Sequence, residues 1–378
     1  MKVSQIMWKF FSVVLATVAL TVVGTRPGSV QGAVRTKYAL GNYEAKKIKV
    51  IKNKNYFVSR PSVYATSATY RSEGTFQTKP DVYHTVRGKR ATLRTSLYLP
   101  VTVHHSGDWA DPQSVVITPD GQTAYMAYLK MSGGTRGWIV KYDLGKIHRL
   151  LGGEASNMDL LRRASNAYSK GRETSTDKKL LAAIHEGPTV DIGHCQSLAY
   201  NPKNKQLWFT KTTGKAGRYG DAVKVSLKTL RPTNSVAYRL VNKQGVRIAV
   251  NSNLTFDSHG RAYFSSYSGK HAVRIYRGTM STKGVHFNLL MQSLANRPGQ
   301  THQAIAYNPH NDRLYLVSDD SLSSVPVKKL LKRRVKPRDI QASVFASHRE
   351  FEGLSFAKNG QGYLVMNRGA ELLKLSFN

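Results

Sequence analysis

The chain has 378 residues, room for one large domain or two ordinary ones, and its 40% hydrophobic and 10% aromatic content excludes wholesale disorder. Fifty-seven Lys and Arg stand against 22 Asp and Glu, a formal charge of +35, which points to polyanionic partners: nucleic acid, acidic lipid or anionic glycopolymers. The single cysteine, Cys195, excludes a disulfide framework and a CxxC zinc site.

Lys2 and Lys9 flank the start of an uncharged apolar stretch, Phe10 to Val23, that gives way to small and polar residues. That order predicts a secretory signal peptide over residues 1–32, cut near Gly32. An uncleaved anchor is the rival, but the stretch falls short of the ~20 residues that span a bilayer. The membrane is therefore expected to be met only through the signal peptide, and the mature chain to be secreted, extracellular or attached to the cell surface. Export demotes nucleic acid as primary partner, and an exported chain without disulfides suits a bacterium.

Residues 33–90, rich in Lys, Tyr, Ser and Thr, read as a partly flexible basic arm with two strands. From residue 91 a repeat emerges. Five segments align without gaps, starting at Gln113, Gln196, Ser252, Gln303 and Glu352; each is a short apolar strand running into an Asn/Asp/Pro/Gly turn. A second strand carries an aromatic in register at Tyr125, Trp208, Tyr263, Tyr315 and Tyr363. Third strands follow in every copy, and fourth strands over 235–241, 285–291 and 339–345, all alternating apolar with polar residues. Repeat starts lie 83, 56, 51 and 49 residues apart, and units of ~40–50 residues with four strands are β-propeller blades.

The expected fold is an all-β propeller over residues 91–378 with five blades; six is the alternative if residues 47–88 make another. After Glu352 there is room for only three strands, so the strand at 91–101 is the expected donor that closes the ring and removes its open edge. Blade one carries an insertion, 145–186, in which helices are expected to start near Asn157 and Thr176, either as a lid over the channel or as surface elaboration.

In this strand–turn–strand texture the chain resembles secreted YVTN/NHL-type and SMP-30-like propellers. The resemblance implies the fold, and only weakly a chemistry. SMP-30-like lactonases hold a metal with a Glu/Asn/Asn/Asp set. Glu352 followed by Gly353 is similar to their first ligand position, and Asn253 stands as an amide, but no matching Asp is evident. Glutaminyl cyclotransferases, also propellers, share a Glu-Gly-Leu start to a strand.

The aligned leading residues are expected to ring one mouth of the central channel. Gln113, Gln196, Asn253, His302, Gln303 and Glu352 are the candidate ligand-binding set, offering donors and acceptors to a sugar or another neutral polar ligand. The bland reading is that the Gln side chains cap strand-end backbone groups. Glu352 is the one catalytic candidate, and the lone acid in its column; Asp319 and Asp320, after a second strand, are expected at the opposite end or in a loop. Cys195 reads as a buried apolar residue, and neighbours on a pleated strand point apart, which disfavours zinc at His194 and Cys195. No cofactor is expected beyond Ca2+ or another divalent metal in the enzyme case.

Two basic clusters complete the reading: Lys46, Lys47 and Lys49 in the arm, and Lys328, Lys329, Lys332, Arg333, Arg334 and Lys336 between the third and fourth strands of blade four. Almost no acid compensates them, so they are the expected polyanion-binding residues, for an anionic polysaccharide or a teichoic-type polymer. The expectation is a monomeric, secreted binding propeller. The alternative is a channel-mouth hydrolase, lactonase or cyclotransferase built on Glu352.

Overall fold

A computed structural model describes residues 36–39, 48–66, 79–100, 111–130, 134–152, 157–213, 219–241, 253–268 and 272–378. The expected signal peptide, Lys46, Lys47, His104, His105, Asp108, Asn251 and Ser252 lie outside these residues.

The described strands form five sheets. Four consecutive antiparallel strands make the clearest blades, such as blade two (Ala199–Asn201, Gln206–Thr213, Tyr219–Val225 and Pro232–Val241) and blade four (Ile305–Asn308, Arg313–Ser318, Ser321–Pro326 and Gln341–Val344). Each first strand turns through a side-chain-capped bend: Asn201, Asp257 and Asn308 accept from the backbone N–H two residues on, at 3.1, 2.9 and 2.9 Å. The protein is a five-bladed β-propeller.

Closure follows the expectation. Blade five (Phe351–Phe356, Gly362–Met366 and Glu371–Phe377) takes its fourth strand from Ala91–Tyr98, which pairs antiparallel with Glu371–Phe377. No sixth blade forms among the described residues. Instead the arm distributes short strands around the rim: Thr36–Ala39 pairs parallel with blade two, Lys49–Ile51 parallel with Gln292–Leu294 of blade three, Arg87–Gly88 with blade four and Val82–His84 with blade five. These segments lack the alternating apolar pattern because each covers an outer edge and needs little but its backbone.

The core is divided among the five seams between neighbouring blades. Strands buried on both faces send alternate residues to opposite seams: Trp208 packs toward blade three, while Leu207 and Phe209 pack toward blade one. The repeated aromatic now has a physical cause. Tyr125, Trp208, Tyr263, Tyr315 and Tyr363 are all buried, and each fills the seam with the next blade around the ring.

The insertion holds three helices: α1 (Leu144–Leu151), capped by Asp143, α2 (Leu160–Ser169), and α3 (Ser175–Leu181), capped by Thr174 with Asp177 in a reciprocal box. They form no lid. Their apolar faces supply Ile147, Leu151, Leu161 and Leu180, which join the seam between blades five and one. The fully buried Arg162 donates to the carbonyls of Leu99 and Ala370 there. A further short helix, α4 (Val327–Leu331), follows the third strand of blade four.

Beside the closing strand lies a buried ionic latch. Arg349 donates to Glu371 at 2.7 Å and to Tyr83 at 3.1 Å, and Thr95 donates to the other Glu371 oxygen at 3.0 Å. Asp81 stands 3.9 Å from the same guanidinium. Burial and then the Glu371 charge push the Asp81 carboxyl up to about 6, against the pull of Arg349.

Two outcomes are expected. Trp208→Ala empties a fully buried seam position and should destabilise the protein by about 3–5 kcal/mol in chemical unfolding. An acid whose folded pKa is raised contributes stability that is complete below its unfolded value near 3.9 and lost as pH rises through about 6. Asp81→Asn should therefore raise the thermal midpoint at pH 7 but not at pH 4, by roughly 1–2 kcal/mol after allowance for partial exposure.

Candidate functional site

The described first strands start at the same end of the ring, so the leading residues of blades one, two, four and five stand at one mouth of the channel. Gln113, Gln303 and Glu352 are 3%, 2% and 2% exposed, and Gln196 is half-buried. Gln196 of blade two reaches across the axis. Its Nε2 donates to Oε2 of Glu352 on blade five at 3.1 Å and to Oε1 of Gln303 on blade four. One amide thus bridges three blades and plugs this end.

Asp319 also lies at this mouth, not at the opposite end or in a remote loop. In an up-and-down blade the second strand returns to the end where the first began, so residues after it arrive beside the leading Gln. Oδ1 of Asp319 accepts from the Phe351 N–H at 3.2 Å and from Gln303 Nε2 at 3.3 Å. Oδ2 accepts from Thr301 at 2.7 Å and from Tyr64 of the arm at 2.8 Å. Asp320, by contrast, is committed to the backbone N–H groups of Ser347 and His348. Tyr64 is a site residue that sequence reasoning missed, since nothing in its neighbourhood repeats.

Two more acids complete the mouth. Asp111 holds Gln113 Nε2 at 2.6 Å and also accepts from Asn367 Nδ2. Glu350 pairs with Arg368 at 2.6 Å. Burial, then the charge of Glu350, with smaller contributions from Asp111 and Asp319, pushes the Glu352 carboxyl well above the usual carboxylate range; the Gln196 hydrogen bond opposes this. Glu350 is itself raised by burial, against Arg368. Sequence alignment found one acid in the column; the fold gathers four.

Asn253 and His302 form a separate pair. Asn253 Oδ1 accepts from the Ser265 N–H at 2.8 Å, its Nδ2 donates to the Ser265 carbonyl at 3.1 Å, and it lies 3.1 Å from His302 Nε2. Ser197, at the same repeat position, bonds the backbone of Thr210 in the same way. This is the strand-capping role, found at the second repeat position. Burial and then Arg297 pull His302 down to about 4, so the ring is neutral at pH 7. With both amide atoms of Asn253 engaged, the described residues do not fit a Glu/Asn/Asn/Asp metal set. Among them no group of three or more His, Cys, Asp and Glu is arranged to hold a metal ion.

Gly353 owes its place to packing. A Cβ there would lie 2.5 Å from the Val115 N–H nitrogen, because the first strands of blades five and one touch at this point. Cys195 is fully buried, and burial alone drives its thiol far up, so it is no nucleophile. Beyond the Gln196 plug lies a channel cavity of about 340 Å³ walled by Ile117, Tyr200, Phe256, Tyr307 and Phe356.

The basic clusters meet on the outer rim. Lys49 pairs in register with Gln292, and Gln292 exchanges two hydrogen bonds with the backbone of Val335, at 3.2 and 3.1 Å. Ile51 shares a core with Val327, Leu330 and Val335. Lys49, Lys52 and Lys54 therefore stand beside the exposed Lys328, Lys329, Lys332, Arg333, Arg334, Lys336 and Arg338. Asp339, bonded to Lys329 at 2.5 Å, is the acid within that segment.

No known protein-family profile matches the sequence, and no curated protein matches it significantly. Similar solved structures include a streptogramin B lyase (11% identity, TM-score 0.36, 80% of this chain and 94% of that one) and a glucose dehydrogenase (11%, 0.36, 80% and 99%). The soluble aldose sugar dehydrogenase of Escherichia coli is another (8%, 0.35, 76% and 100%). Such distant likeness carries nothing about chemistry, and the fold rests on the strand pairing itself.

The raised Glu352 gives a test of the mouth. Its protonated form contributes stability that is complete below about pH 4.3 and lost as pH rises through the elevated folded value. Glu352→Gln mimics the protonated acid and keeps an acceptor for Gln196. Thermal unfolding between pH 4 and 9 should show the variant matching the parent at pH 4 and exceeding it increasingly as pH rises.

Proposed function

We propose that this is a secreted binding propeller, held at a cell wall or extracellular matrix by anionic glycopolymers that lie along its basic rim. The observation that carries the reading is the Gln292–Val335 bridge, which brings two basic segments more than 270 residues apart in sequence onto one surface. Lysines act there as point charges and arginines as forks for phosphate, sulfate or carboxylate groups. Near-absence of acid in the segment supports a polyanion partner over an ordinary solvated face. Polymers of the teichoic type and acidic polysaccharides share the chemistry. The second reading is a hydrolase, lactonase or cyclotransferase at the mouth, because burial and neighbouring acids raise the Glu352 carboxyl toward the protonated form that a general acid needs.

Binding of the mature chain to purified walls, intact and stripped of anionic polymer, across a salt series tests the proposal. Reversing Lys328, Lys332, Arg333 and Arg334 to Glu should weaken binding by roughly tenfold or more at low salt. Reversing Lys170, Arg172, Lys178 and Lys179 on the helical insertion changes net charge equally and should cost little. Equal losses in the two variants would show that only diffuse charge matters. Binding indifferent to stripping would sink the proposal.

A further inference from the structure

Four carboxyl groups, Asp111, Asp319, Glu350 and Glu352, meet at the channel mouth of a protein whose formal charge is +35. Among the described residues only Glu350 has a cationic hydrogen-bond partner there, Arg368. Asp111 and Asp319 are served by neutral amide, hydroxyl and backbone donors. A second observation is independent of the acids. Gln113 is 3% exposed, its Nε2 is fixed on Asp111, and its Oε1 is buried with no partner. Held by Asp111, one of the four acids and one that acts on Glu352, this orphan acceptor belongs to the same cluster. Only Oε2 of Glu352 is hydrogen-bonded among the described residues. A buried acceptor left unfilled carries an uncompensated desolvation cost, which a donor-bearing ligand would recover.

We propose that the channel mouth binds an amino sugar, its primary ammonium placed among Glu352, Asp319 and the Gln113 carbonyl. An ammonium supplies three donors and a charge where acceptors and acids stand in excess. Among the described residues the acids are not grouped for a metal ion. The amides of Gln196 and Gln303 are suited to hydroxyls, and the Tyr64 ring lies at the same rim, stacked under Arg368 at 4.8 Å. A bound cation favours the charged form of Glu352, whose carboxyl is pushed up by burial and by the neighbouring acids, so binding should be linked to proton release. The groups that face this event are Asp111, Asp319, Glu350, Arg368, the neutral His302, and Tyr64 with Arg60 over its ring.

Calorimetric titration with the β-1,4 disaccharide of glucosamine, in two buffers of different ionisation enthalpy, reads both affinity and proton release. The free diamine should bind with release of up to about one proton, and its N,N′-diacetyl form at least roughly tenfold more weakly. Glu352→Gln should abolish proton release and weaken binding. Gln113→Met, which removes the orphan acceptor without touching an acid, should weaken binding several-fold; it serves as the test should the first variant not fold. Equal affinity for amine and acetylated forms, or no binding of the amine at about 10 mM, overturns the proposal. The rim-reversed variant should bind the diamine normally, so this site and the polyanion surface succeed or fail separately.

Discussion

Everything in this molecule depends on the pairing of Ala91–Tyr98 with Glu371–Phe377. A propeller has no central core; its apolar residues lie in seams that exist only when each blade has a neighbour on both sides. Without that strand the seam between blades five and one would lose Leu97 and Leu99 on one side, and the sheet edge of blade five would be open to other chains. The Arg349–Glu371 pair is buried at this junction, where removing either partner would strand a charge in the interior. Arg162 of the insertion satisfies two carbonyls at the same seam. Helices that read as decoration are therefore part of the closure.

The arm serves a related purpose. By laying short strands on the outer edges of blades two to five, it covers edges that would otherwise be free, and it needs no hydrophobic core of its own. Its path also shapes two surfaces. Lys49–Ile51 delivers one basic segment to the rim of blade three, and Tyr64 delivers a phenol to Asp319 at the mouth. A segment without repeat or core thus connects the two surfaces on which chemistry can occur.

Electrostatically the protein is divided. The rim concentrates Lys and Arg that stay hydrated and screened, where each charge acts weakly and the sum matters. The mouth concentrates buried acids, where burial first and then the neighbouring charges push the Glu352 carboxyl well above the usual carboxylate range. Long-range attraction and short-range selection are assigned to different places.

The sequence by itself determined five repeats, their strand order, the expected closing strand and the alignment of Gln113, Gln196, Gln303 and Glu352 at one repeat position, because a repeat records the burial pattern of every strand. The regular aromatic was legible for the same reason: each copy fills an equivalent seam. What only the tertiary structure decided are the relations between copies. Gln196 and Glu352 lie 156 residues apart and meet only because the ring closes. Asp319 joins the mouth through the return of a second strand, Tyr64 through the wrapping of the arm, and the two basic segments through one glutamine side chain. Helices α1 and α4 escaped notice because each is a short continuation of a third strand. Local periodicity is set by which face of a strand is buried; the site is set by which strands become neighbours, and no local pattern encodes that.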